Sequence, residues 1–62
     1  MMNTIQVGGK SYRVNHRAEI AEYPHLQASE PDTVAYVFAD LAGRCYLIRE
    51  LRNGAHSKPV RL

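Results

Sequence analysis

The side chains best suited to covalent or metal chemistry in this 62-residue chain are one cysteine, Cys45, and three histidines, His16, His25 and His56. A thiolate beside an imidazole can act as nucleophile and base, and the same four residues are the soft ligands that zinc would take. Their spacing supports neither role. None of them falls in a compact zinc pattern. Cys45 lies within the run Cys45-Tyr46-Leu47-Ile48 on the side shared with Leu47, where a buried structural thiol is expected. The histidines fall at expected turns and element ends. Glu19 and Glu22 would share one side of a helix, which reads as a solvated face and not as an acid–base pair. Gly8-Gly9 is followed by no second glycine cluster and no Gly-Lys-Ser/Thr, so it is a turn and not a phosphate loop. The chain is therefore not expected to be an enzyme. No cofactor, metal or small-molecule substrate is inferred.

Binding chemistry is better represented. Tyr36, Phe38, Tyr46 and Ile48 are expected on one face of a sheet. Such a group is ordinary core, or a face that binds a protein partner or a second copy of the chain. With Arg44 and Arg61 nearby it also has the make-up of a platform on which bases stack while arginines hold phosphates. Arg49 is expected opposite Lys58. Like charges across two strands repel, so the pair is either splayed into water or, with Lys10 or Arg52 in reach, part of an anion or phosphate site.

Three turn signals set the elements that must position these residues. Gly8-Gly9, Leu41-Ala42-Gly43 and Asn53-Gly54 are each flanked by β-branched or aromatic residues, and glycine and asparagine tolerate the positive φ of hairpin turns. A two-residue turn at Gly8-Gly9 pairs Ile5 with Tyr12 and Val7 with Lys10. A three-residue loop at Leu41-Ala42-Gly43 pairs Asp40 with Arg44, Phe38 with Tyr46 and Tyr36 with Ile48. The Asn53-Gly54 turn then pairs Leu51 with His56, Arg49 with Lys58, Leu47 with Val60 and Cys45 with Leu62, with Pro59 marking an edge strand. Between the hairpins, Asn15 can cap a helix that Pro24 limits to about two turns, although residues 16–23 also alternate as a strand. Residues 24–32 read as loop. The expectation is α+β: an N-terminal hairpin, a short helix and a three-stranded antiparallel meander, whose five strands can close into a small barrel.

Length and composition bound the rest. The chain is one small domain, 1–62, and buries only about 60% of its unfolded surface, so it needs help to be stable. A single cysteine excludes an internal disulfide and fits a reducing, cytoplasmic setting. No apolar stretch approaches the ~20 residues that span a bilayer, so no membrane partner is expected. Eight Lys and Arg against six Asp and Glu give a net charge of +2, a mild tilt for a nucleic-acid binder. Both faces of the meander come out largely apolar, and two apolar faces need two covers. The leading expectation is therefore a small cytoplasmic module that binds a protein partner or itself through Tyr36, Phe38, Tyr46 and Ile48. The alternative is a nucleic-acid binder using Arg44, Arg49, Lys58 and Arg61.

Overall fold

All three glycine-bearing turns close antiparallel strands. The computed structural model describes residues 3–62. In it β1 (Thr4–Val7), β2 (Lys10–Glu19), β3 (Thr33–Leu41), β4 (Arg44–Leu51) and β5 (Val60–Arg61) form one antiparallel sheet in chain order. Among the described residues the sheet is open, with β1 and β5 each paired on one side. A 3-10 turn, Ile20–Glu22, and one helix, α1 (Pro24–Ser29), connect β2 to β3. Among the described residues no helix is long and apolar enough to cross a membrane.

The connection departs from the expected helix over residues 16–23. Those residues continue β2 as far as Glu19, and the Glu19 amide donates to the Glu22 carboxylate at 3.0 Å as the chain turns. The helix comes later, in the stretch read as loop, with Pro24 at its start. Proline stops a helix that precedes it but opens one that follows, because its missing N–H falls where no intrahelical acceptor exists.

The β3–β4 turn is tighter than expected. Leu41 faces Arg44 across the two-residue turn Ala42-Gly43, with φ of 53° and 77°. The register therefore moves by one: Asp40 faces Cys45, Phe38 faces Leu47, Val37 faces Ile48 and Tyr36 faces Arg49. A left-handed alanine costs about 1–2 kcal/mol. The alternative register would lift Ile48 off the face where it is fully buried, a loss of about 1.5–3 kcal/mol. Burial wins, and the slip turns every β4 side chain to the other face.

Two bulges complete the face assignment. Asn15 in β2 and Val34 in β3 have no partner in their ladders. The first reverses the alternation of β2, so that Tyr12 and Val14 share a face with Arg17 and Glu19. This face also carries Val37, Ala39, Tyr46 and Ile48. Its core is Tyr12, Val37, Ala39 and Ile48, with Ile5, Val7, Val14, Leu41 and Tyr46 packed around it. No helix covers it. Side chains from β2 and β4 instead reach each other over the small residues of β3. The Tyr12 and Tyr46 rings meet edge to face at 5.4 Å, and the Arg17 guanidinium grips Glu50 through Nε at 3.1 Å and Nη2 at 2.7 Å. Ala35 and Ala39 lie beneath, at 0% and 1% exposed. We call this the bridged face. The opposite, helix face carries Ala18, Tyr36, Phe38, Cys45, Leu47 and Arg49, under the 3-10 turn and α1.

Candidate functional site

Glu30, at the end of α1, ties the helix to the sheet. It accepts a hydrogen bond from the Tyr36 hydroxyl at 2.5 Å and lies 3.4 Å from Arg49 Nη1, which donates in turn to Thr33 Oγ1 at 3.0 Å. Tyr23 packs edge to face on Tyr36 at 6.0 Å. Tyr36 is therefore 6% exposed, and burial together with its carboxylate partner pushes the phenol up to about 12. A charged phenolate would lose water and meet a like charge, so both causes favour the neutral form.

The cover is incomplete. α1 has six residues, none of them buried, and the contacts that cover Tyr36 come from Tyr23 and Glu30 at its two ends. Beyond it lies an open groove of ≈ 340 Å³ lined by Tyr23, Leu26, Glu30, Tyr36, Phe38 and Leu47. Phe38 and Leu47 face each other across β3 and β4, both half-buried, and the His16 ring stacks on Phe38 at 6.0 Å. Val60, opposite Leu47, continues the same face at 60% exposed, and Leu62, whose amide bonds to Cys45, is 67% exposed. A second hollow links the groove to Arg49, Ser57 and Lys58.

The four residues expected to form one partner-binding face are thus divided. Tyr36 and Phe38 are on the helix face, while Tyr46 and Ile48 are on the bridged face with Ile48 wholly enclosed. The basic set is divided too. Arg44 and Arg61 share the bridged face with Tyr46 by register, and Arg49 and Lys58 flank the groove. The expected Arg49–Lys58 pair does not form: the Arg49 amide donates to Ser57 Oγ at 2.9 Å and its carbonyl accepts from the Ser57 amide. Asp40, expected opposite Arg44, instead binds Arg13 in a two-point pair at 3.2 and 3.0 Å.

Cys45 is exposed and not part of the core, because the register change moves it to the edge of the helix face. His16 lies within β2 and not on a turn, and His56, expected opposite Leu51, instead bridges Glu50 because the Leu51 amide bonds to the Ala55 carbonyl and shifts the register by one. Among the described residues no group of three His, Cys, Asp or Glu side chains is placed to hold a metal. Of the groove lining, Tyr23, Leu26, Glu30 and Leu47 were not expected in a binding site, nor were Val60 and Leu62, which extend the same face. Their signal was present in Leu47 and Val60, whose pairing was expected, but the face they share with Phe38 was not. Comparison with protein-family models, curated proteins and solved structures finds no match.

Proposed function

We propose that the protein is a small, non-enzymatic interaction module of a reducing compartment such as the cytosol, and that it docks an apolar segment of another protein in the groove beside α1. One observation carries this reading: Phe38 and Leu47 line a hollow that the short helix leaves uncovered, and the exposed Val60 and Leu62 extend the same face by register. Isolated surface leucines are ordinary, but apolar residues that share one face of so small a chain mark a contact site. Docking would bury this face around Phe38, with Tyr36 as its floor. Lys58 borders the groove and makes no ion pair among the described residues, so the favoured partner carries an acidic residue beside its apolar anchors.

The nucleic-acid reading has less support. Its aromatics and arginines are spread over two faces, and Arg49 already faces the Glu30 carboxylate. A mixed-sequence oligonucleotide titrated at low salt separates the two, since phosphate contacts strengthen as salt falls. The docking reading itself is tested by affinity capture with the wild type and with Phe38→Asp/Leu47→Asp. A bound protein lost only from the variant supports it. A partner retained equally by both, or tight low-salt binding to the oligonucleotide, sinks it.

A further inference from the structure

The two edges of the sheet are chemically unlike. On β5 the Leu62 amide donates to the Cys45 carbonyl at 3.0 Å. Leu62 and Val60 therefore turn their backbone groups toward β4, and Arg61 and Pro59 turn theirs outward. Pro59 has no N–H, and Lys58 and Arg61 are charged. Natural edges use such residues against strand addition. On β1 the Val14 amide donates to the Asn3 carbonyl at 2.8 Å. This places Asn3, Ile5 and Val7 in the ladder to β2 and turns the N–H and C=O groups of Thr4 and Gln6 outward. From Asn3 to Val7 there is no charge and no proline, and the pairing with β2 has no bulge. Ile5 and Val7 pack at the margin of the Tyr12–Ile48 core, so a strand added here extends a face that is already dry.

We propose that this edge is a homodimer interface, in which two copies pair their β1 strands antiparallel about a two-fold axis at Ile5. The outward groups of Thr4 meet those of Gln6 from the second copy, and the reverse, in reciprocal N–H···O=C bonds. Ile5 faces its own equivalent between them, completing one continuous sheet through both subunits. The occupant is a second copy because the strand is self-complementary. Its two outward residues are placed symmetrically about Ile5, and the uncharged run sets no like charges against each other. Oligomerisation is also a usual support for a chain of this size. The interface is separate from the groove, so either can fail without the other.

Sedimentation and light scattering over a concentration series, with amide hydrogen exchange, test the proposal on the full chain. The wild type is expected to dimerise with concentration, and the Thr4 and Gln6 amides to gain protection as it does. Thr4→Lys/Gln6→Lys sets lysine against lysine across the axis and should weaken dimerisation about tenfold or more. Thr4→Lys/Gln6→Glu sets opposite charges there and should restore it. Both variants carry the same change opposite Arg13, and circular dichroism checks that both fold, so their difference reports the interface. Phe38→Asp should leave the dimer intact. The proposal is overturned by a wild type that stays monomeric at about 1 mM. It is equally overturned by a dimer whose Thr4 and Gln6 amides exchange as in the monomer, by equal behaviour of the two double variants, or by a dimer that Phe38→Asp dissolves.

Discussion

The bridged face and the helix face of one sheet solve the same problem by different means. Each has apolar residues on β3 and β4 that water must not reach. On the bridged face the cover is built from the sheet itself, as Tyr12 reaches Tyr46 and Arg17 reaches Glu50 over the alanines of β3. This works because Ala35 and Ala39 leave room beneath long side chains. On the helix face β3 carries Tyr36 and Phe38, which are too large to be bridged, so a separate element must lie on top. The connection through α1 covers Tyr36, by way of Tyr23 and Glu30, and leaves Phe38 beside an open hollow. The lesson is that side-chain size on the central strand decides which face closes and which stays available.

The two faces should differ most in their response to truncation. Ile48→Ala, on the closed face, should cost about 2–5 kcal/mol, enough to unfold much of so marginal a chain in a urea titration. Tyr36→Phe, at the covered end of the helix face, removes one hydrogen bond to a carboxylate and should cost about 1–2 kcal/mol. The same phenol gives a pH signature. Its folded value lies above the ordinary 10, so its contribution is complete below pH 10 and fades as the pH rises toward about 12. Tyr36→Phe should remove that alkaline loss from the thermal melting curve. Leu47→Ala, in the open groove, should cost only about 1 kcal/mol, since its side chain is half in water already. A loss as large as that of Ile48→Ala would erase the distinction between the faces.

Smaller effects come from the bridging pair and the turn. Arg17 holds the Glu50 carboxyl below its usual 4.5. A depressed acid stabilises the fold above its unfolded pKa and loses that contribution as pH falls through the folded one. Glu50→Gln should therefore flatten the part of the acid-unfolding curve below pH 4.5. The change should be under about 1 kcal/mol, because the pair is partly solvated. Ala42→Gly should stabilise by about 0.5–1 kcal/mol, since relief of the left-handed strain outweighs the added freedom of the unfolded chain. A destabilised Ala42→Gly would mean that the turn does not set the register that divides the faces.

Much of the fold was legible because turn chemistry is local. Gly8-Gly9 announces where the chain reverses, and the pairing Ile5–Tyr12 follows by counting outward from it. Asn53-Gly54 also marks a reversal, but the ladder beside it sits one residue off, with Glu50 facing His56, and the expected Leu47–Val60 pair is regained only farther along. The third turn was not legible to within one residue. Ala42 alone argues for a longer loop, and the energy that overrides it comes from burying Ile48, which no local window contains. The candidate site inherits that difference: Phe38 lies beside the open groove, while Tyr46 and Ile48 lie on the opposite face.

The residues by themselves determined five antiparallel strands, an edge at Pro59 and more apolar surface on β3 and β4 than one cover can hide. Only the folded arrangement decided which side chains share a face, because bulges at Asn15 and Val34 and a one-residue choice at Ala42-Gly43 each reverse an alternation. Such choices are made by contacts between distant strands, where the gain from a well-filled interior exceeds the local cost of a strained or unpaired residue.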